Sequence, residues 1–185
     1  MKQSVEKSPI SFEVNVARLP KKGMPVTIEA TEAQREALAK VHGLISVERL
    51  RADLVVTSWK RNGIQVRGRV EADIVQSCVV TLDPIEARVD EQVSAVFLPE
   101  DSKLGRESFG LGGEIMIDVD GPDSPETFSG DRIDVGALAE EFFGLGIDPY
   151  PRKQGAQSPS PEPSGADEAE EGELQKKLRK LFPDS

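Results

Sequence analysis

The stretch from Trp59 to Pro99 has the most continuous strand-like pattern in the chain, and it restricts the fold to one built on an antiparallel sheet. Apolar and polar residues alternate along it, as they do in strands that bury one face. Asn62-Gly63 interrupts the pattern and is the strongest short turn signal, because both residues tolerate the positive φ of a type I′ hairpin. A second interruption runs from Cys78 to Asp83-Pro84. We therefore predict two chain reversals within this stretch.

Three successive strands are predicted around these reversals, at Ile45–Trp59, Ile64–Val75 and Ile85–Leu98. Their connections are short, so consecutive strands should be antiparallel neighbours in a meander. Further strands are predicted at Ile10–Val16, Pro25–Ala30 and Glu114–Val119. The sequence leaves open whether the sheet stays open or forms a partly closed barrel.

Two helices are predicted, each from a cap residue and an apolar face. Thr31 begins the pattern T-x-x-Q, a capping box, ahead of a helix from about Glu32 to His42, and Gly43 is a typical stop. Asp134 is the predicted N-cap of a second helix, Val135–Phe143, whose apolar residues recur at helical spacing. The predicted fold class is therefore α+β, with an antiparallel meander sheet and two packed helices.

The composition changes after residue 153, which predicts a single α+β domain over residues 1–153 and a separate tail. Residues 154–173 contain Pro, Ser, Gly, Ala and acids, with no large apolar residue. Such a segment cannot bury enough surface to offset its chain entropy, so we predict a disordered acidic linker. Residues 174–185 are predicted to form a short basic amphipathic helix, which at this length is marginally stable alone. Its cations are Lys176, Lys177, Arg179 and Lys180.

The charge and composition exclude several classes of function. The formal net charge is −10, which repels nucleic acid as a whole and attracts basic proteins. One histidine and one cysteine cannot supply a closed zinc site within the chain. No apolar run is long enough for a signal peptide or a membrane span, so we expect a cytoplasmic protein without a membrane partner.

A candidate interaction surface follows from the cations near the predicted hairpin. Its members are Trp59, Lys60, Arg61, Arg67 and Arg69, to which the four tail cations are added. One interpretation is contact with RNA or phosphate. The other is a solvated sheet face whose arginines pair with neighbouring acids, and the acidic balance of the chain favours this second interpretation.

Three features were considered as chemical sites, and none is predicted to be catalytic, cofactor-binding or metal-binding. Cys78 has valines beside it and no recognisable base, which favours a structural thiol over a nucleophile. His42 is expected at the surface near a helix C-terminus rather than as a general base. The acids between Glu107 and Glu126 do not have the spacing of a calcium loop and indicate solvated loops. No small-molecule substrate or cofactor is evident.

The stretch C-V-V-T-L-D-P, which begins at Cys78, resembles the motif C-x-R-C-L-x-P of the YceD family of large ribosomal RNA subunit accumulation proteins. Cys78, Leu82 and Pro84 match the motif, whereas Val80 and Thr81 replace its arginine and second cysteine. This replacement removes any redox or metal role for a cysteine pair in this chain. The order of strands, acidic loop, apolar helix and short terminal helix is also similar to the family.

The resemblance implies a non-enzymatic ribosome biogenesis factor that supports accumulation of the large-subunit (23S) ribosomal RNA, with a link to a small protein of the large ribosomal subunit. The acidic charge fits binding of a basic ribosomal protein or of an assembly intermediate of the large subunit. Three alternatives stay open. These are direct RNA binding through the predicted cationic surface, an enzyme that depends on Cys78 or on a metal, and a scaffold that acts through its tail.

Overall fold

The structure is a computed structural model that describes residues 7–60, 62–100 and 125–155 of the chain. Its elements are β1 Glu13–Asn15, β2 Met24–Glu29, α1 Glu32–His42, β3 Ser46–Trp59, β4 Gly63–Ser77, β5 Pro84–Pro99, β6 Glu126–Phe128, β7 Arg132–Asp134 and α2 Val135–Leu145. Several predictions fall outside the described residues. They are the strand Glu114–Val119, the acidic linker from residue 156 onward, the tail helix with its four cations, and Arg61.

The described strands form an open five-stranded sheet in the order β2-β3-β4-β5-β6 and a separate two-stranded sheet of β1 and β7. Strands β2 to β5 are antiparallel neighbours in chain order, which confirms the predicted meander. The last strand, β6, pairs with β5 in parallel. The order does not return to β2, so the sheet is not the partly closed barrel that the sequence left open. The α+β fold class is confirmed.

The core lies between one face of the sheet and the two helices. Along β4, alternate residues Val66, Val70, Ala72 and Ile74 are buried, and partners of the same parity from β3 and β5 lie beside them. Helix α1 packs on β3, and α2 packs on β4 and β5. Complete burial of an aliphatic side chain stabilises a fold by about 1.5–3 kcal/mol, so this alternation fixes which face of each strand points inward.

Helix α1 has the predicted bounds and the predicted caps. Thr31 N donates to Gln34 Oε1 at 2.9 Å and Gln34 N donates to Thr31 Oγ1 at 3.4 Å, which completes the capping box. Gly43 ends the helix at φ 65°, a left-handed conformation that favours glycine. The sequence pattern places Leu38 and Val41, with Ala33 and Ala37, on the apolar face of this helix. This prediction is partly wrong, because Val41 is 61 % exposed and the buried residues are Leu38 and Ala39.

Helix α2 begins at the predicted N-cap. Asp134 Oδ1 accepts hydrogen bonds from Gly136 N and Ala137 N, both at 3.0 Å. The helix continues through Gly144 to Leu145, two residues beyond the predicted end. A side chain at Gly144 would lie 3.2 Å from the His42 ring, so the glycine allows α1 and α2 to approach rather than ending the helix.

Three strand predictions are corrected by the structure. Strand β1 has three residues instead of the seven of Ile10–Val16, and Phe12 is exposed. The hairpin between β3 and β4 is confirmed, but Trp59 pairs with Gly63, so the connection spans residues 60–62. Its positive φ lies at Lys60 (48°), which excludes the two-residue turn centred on Asn62-Gly63. Strands β6 and β7 were not predicted, because three residues are too few for a visible alternation.

Candidate functional site

The motif residues Cys78 and Leu82 lie on the turn that joins β4 to β5, residues 78–83, which we name the Cys78 turn, and Pro84 is the first residue of β5. Ser77 pairs with Pro84 where the turn begins and ends. Cys78 N donates to the carbonyl of Asp83 at 2.8 Å, and Leu82 N donates to the carbonyl of Cys78 at 2.9 Å. The turn therefore satisfies much of its own backbone polarity and holds its shape.

A second segment, residues 148–153, runs alongside the Cys78 turn, and we name it the strap. Gln76 Nε2 donates to the carbonyl of Asp148 at 2.7 Å, and Val79 N donates to the carbonyl of Pro151 at 2.9 Å. The side chain of Gln76 is buried, so the strap also satisfies an amide that would otherwise be costly in the core. Sequence patterns do not predict this contact, because the two segments are far apart along the chain.

Lys153 fastens the end of the strap to the Cys78 turn through two groups. Its backbone N–H donates to Cys78 Sγ at 3.4 Å, and its ammonium lies 3.0 Å from Asp83 Oδ2. The hydrogen bond from Lys153, together with one from the Thr81 side chain, lowers the pKa of Asp83. Both partners of this ion pair are about half exposed, so it positions the strap more than it stabilises the fold.

Cys78 itself is completely buried, with 0 % of its surface exposed. Its Sγ accepts the backbone N–H of Lys153 and that of Thr81, each at 3.4 Å. These donors favour the thiolate and lower the pKa of Cys78 to about 6, against the opposing effect of burial. A sulfur enclosed in this way has no open approach for a substrate, which supports the structural interpretation of the thiol.

Leu82 has the opposite setting from Cys78. Its side chain is 76 % exposed, and its φ of 60° places the residue in the left-handed region. Branched and bulky side chains rarely adopt that conformation, because Cβ then crowds the following carbonyl group. The motif leucine is therefore held in an unfavourable backbone conformation while its side chain points to solvent.

Of the predicted cationic surface, Trp59 and Lys60 lie at the other end of β4, and Arg67 and Arg69 lie along the strand towards its middle. Lys60 Nζ is 4.2 Å from the centre of the Trp59 ring, a cation–π contact at the hairpin. Arg67 is exposed on the outer face of the sheet, between Val55 and Ser94 on the neighbouring strands. The strand β4 separates this hairpin from the Cys78 turn by roughly 45 Å, at about 3.3 Å per residue.

Acids and arginines alternate over the outer face of the sheet and form ion pairs across strands. Arg69 pairs with Asp90, and the pKa of Asp90 is lowered by this contact. Arg51 bonds Asp53 at 2.7 Å and Glu29 at 2.6 Å. A further pair, Arg88 with Glu71, lies at 2.6 Å. The pairing of Arg69 with Asp90 agrees with the second interpretation of this surface, a solvated sheet face whose arginines pair with neighbouring acids.

The only histidine was predicted to lie at the surface, but it is half-buried between the helices. His42 Nε2 lies 3.2 Å from Glu140 Oε1 on α2. Its ring also meets Phe143 edge to face, with centroids 5.1 Å apart. His42 therefore joins α1 to α2, and its side chain is largely withdrawn from solvent. Over residues 7–60, 62–100 and 125–155, no group of three His, Cys, Asp or Glu side chains could hold a metal ion.

Comparison with protein families shows to which family this chain belongs. The family model of the large ribosomal RNA subunit accumulation protein YceD matches residues 66–182, which is more than half of the chain. The chain belongs to the YceD family. The match includes the Cys78 turn and the strap, so the motif residues lie within the part of the chain that the family shares. The family description implies a role in accumulation of the RNA of the large ribosomal subunit.

No curated protein and no solved structure matches the chain. Neither described helix, at 11 residues each, is long and apolar enough to cross a membrane.

Proposed function

We propose that this YceD-family chain supports accumulation of large-subunit ribosomal RNA without catalysis, by binding a basic ribosomal protein or an assembly intermediate in the cytoplasm. The family match over residues 66–182 carries the proposal. The net charge of −10 supports a basic partner, since long-range attraction raises the rate at which oppositely charged proteins meet. The enclosed sulfur of Cys78 agrees with binding rather than chemistry.

Direct RNA binding is the second candidate, and the hairpin end of the sheet favours it. Trp59 and Lys60 offer an aromatic ring with a cation beside it, and Arg67 is exposed nearby. Aromatic stacking and cation contacts are the usual means of binding single-stranded RNA. Against this, Arg69 is paired with Asp90, and the acids of the outer face reduce its attraction for phosphates.

A binding titration at several salt concentrations separates the two candidates. The purified chain is mixed with the RNA-free proteins of the large ribosomal subunit, and in parallel with naked large-subunit RNA. We expect binding of a basic protein that weakens with salt, and weak or no binding of RNA. Binding of the RNA together with indifference to the proteins would contradict the proposal.

The cellular role is tested by a strain from which the gene has been deleted. We expect a smaller large-subunit peak in sedimentation profiles and a lower ratio of large-subunit to small-subunit RNA. A strain that carries Cys78→Ser should keep normal RNA levels, because the proposal gives the thiol no chemical role. Normal profiles in the deletion strain would contradict the proposed function.

A further inference from the structure

Three large apolar side chains are exposed on the Cys78 turn and the strap. They are Val79 at 46 %, Leu82 at 76 % and Tyr150 at 72 % exposure, and we name them the Leu82 surface. The bond from Val79 N to the carbonyl of Pro151 brings the turn and the strap side by side. Single exposed apolar residues are common, but a group of them on one built unit of the fold marks an interaction site.

The backbone of Leu82 is the second observation, independent of exposure. Its left-handed conformation is unfavourable for leucine, and glycine would adopt it without strain. The conformation is held by backbone bonds of the turn, from Leu82 N to the carbonyl of Cys78 and from Ser77 Oγ to the carbonyl of Leu82, while the Leu82 side chain lies in solvent. Glycine could make the same backbone bonds without strain, so the turn itself does not require a leucine side chain, and we infer that the side chain is available to a partner.

The charges beside the Leu82 surface indicate the kind of partner. The charged residues that line a groove of about 610 Å³ on the sheet are Glu48, Asp73 and Glu86 and one cation, Arg88, which pairs with Glu71. Glu86 pairs with Val75, two residue pairs from the Ser77–Pro84 pair at which the turn begins. Within the described part of the chain, none of these three acids takes part in an ion pair. The groove therefore has three carboxylates against one guanidinium that is already paired with Glu71, so its net charge attracts cations and repels phosphates.

We propose that the Leu82 surface is the docking site for a basic protein segment. An apolar side chain of that segment packs on Leu82, and its lysines or arginines enter the groove of Glu48, Asp73 and Glu86. The inference rests on the proposed function, because it assigns a surface to the basic partner. The separation of apolar anchor and carboxylates fits a protein segment, whereas RNA offers neither an aliphatic anchor nor cations.

Two variants remove the anchor and the charges separately. Leu82→Gly deletes the side chain at a position where glycine suits the backbone, so the turn stays folded. The double variant E48Q/E86Q removes two carboxylates of the groove with little change in shape. Val41→Ala is the matched control, because Val41 is also an exposed aliphatic residue but lies on α1. Thermal unfolding of every variant shows that each is folded.

The probe is the RNA-free protein fraction of the large ribosomal subunit, and the bound protein is identified and titrated by fluorescence anisotropy. We expect Leu82→Gly to weaken binding about tenfold or more, as for a central anchor of an interface. E48Q/E86Q should weaken binding and reduce its dependence on salt, while Val41→Ala binds like the unchanged chain.

The outcomes distinguish this inference from the proposed function. If a basic protein binds all variants equally, the Leu82 surface is not the docking site, although the proposed function stands. If the unchanged chain binds none of the proteins, the proposed function fails and the inference fails with it. If Leu82→Gly instead abolishes binding to naked RNA, the surface has a different class of partner and the proposal is wrong.

Discussion

At position 82 the chain places leucine where its backbone favours glycine. The left-handed conformation costs about 1–2 kcal/mol for a residue with a Cβ atom. Glycine recovers this cost but adds about 0.5–1 kcal/mol of freedom to the unfolded chain. We therefore expect Leu82→Gly to raise the free energy of unfolding by about 0.5–1 kcal/mol, measured by urea denaturation.

The control for this prediction is Leu82→Ala, which removes the same exposed side chain but keeps Cβ. Because the strain stays, alanine should leave the stability within about 0.5 kcal/mol of the original. Equal stabilisation by glycine and alanine would show that the exposed side chain, rather than the backbone conformation, was unfavourable.

The reactivity of the Cys78 thiol tests whether the sulfur stays buried in solution. A thiol whose pKa is lowered to about 6 is largely thiolate at pH 7.5 and would react quickly with iodoacetamide if it were accessible. Since Cys78 is buried, we expect slow labelling of the folded chain and fast labelling in urea, followed by mass spectrometry. Labelling of the folded chain as fast as that of the unfolded chain would mean that the turn opens readily.

The motif residues show what sequence reasoning reaches at this scale. The structural role of Cys78 follows from its apolar neighbours and the lack of a visible base. The left-handed conformation of Leu82 could not be predicted from the sequence, because leucine rarely adopts positive φ and its neighbours carry no signal for it. His42 was misplaced for a similar reason, because its partner Glu140 is distant along the chain.

Asp134 connects two elements, and its charge makes the connection depend on pH. Burial alone would raise the pKa of Asp134, but hydrogen bonds from Ser11 Oγ and from three backbone N–H groups outweigh burial and lower the pKa. One of these N–H groups belongs to Phe12, so the carboxylate caps α2 and also holds the segment that leads into β1. A lowered pKa in the folded state means that the ionised form stabilises the fold.

We expect Asp134→Ala to lower the free energy of unfolding by about 1–2 kcal/mol at neutral pH, as for other N-cap losses. The contribution is complete above the unfolded pKa of about 3.9 and is lost as pH falls through the lower folded value. The difference between the original and Asp134→Ala should therefore be constant from about pH 5 to 8 and shrink below about pH 4, by urea denaturation at each pH.

Asp131 provides the control for this prediction. It directly precedes β7, and its Oδ2 accepts a hydrogen bond from Asn15 Nδ2 at 2.7 Å, but its side chain is exposed and caps no helix. Asp131→Ala should change the stability by less than about 0.5 kcal/mol at every pH. A pH-independent loss in Asp134→Ala would show that packing, and not the carboxylate charge, holds α2.

Local signals predicted the elements well, and distant pairings explain most of what was missed. The capping box at Thr31 and the N-cap at Asp134 depend on residues within one turn, so both helix starts were found. The meander followed from alternation and short connections. The pairing of β1 with β7 and of the strap with the Cys78 turn joins segments far apart along the chain, which periodicity cannot detect.

At the scale of the whole molecule, the stretch from Trp59 to Pro99 places two candidate surfaces at opposite ends of one sheet. The cationic hairpin carries Trp59 and Lys60, and the other end carries the Leu82 surface beside an acidic groove. The sequence predicted the first surface from its charges. It identified the second only as a family motif, because exposure and the strap appear only in three dimensions.

The last described element, α2, ends at Leu145, well before the end of the chain. The described helices and strands all end before residue 153, so we expect the fold not to depend on residues 156–185. A chain that ends at Gly155 keeps the strap and the Cys78 turn. We expect its thermal midpoint to lie within about 2 °C of the full chain, since no described core contact is lost.

The family match, however, extends to residue 182, and the removed part contains the four tail cations. If those residues serve the shared role, the shortened chain should be stable yet fail to restore large-subunit RNA in the deletion strain. The control is a full-length chain with Lys176, Lys177, Arg179 and Lys180 changed to glutamine. Failure of both would assign the defect to the tail cations, whereas full rescue by the shortened chain would confine the function to the domain that bears the Leu82 surface.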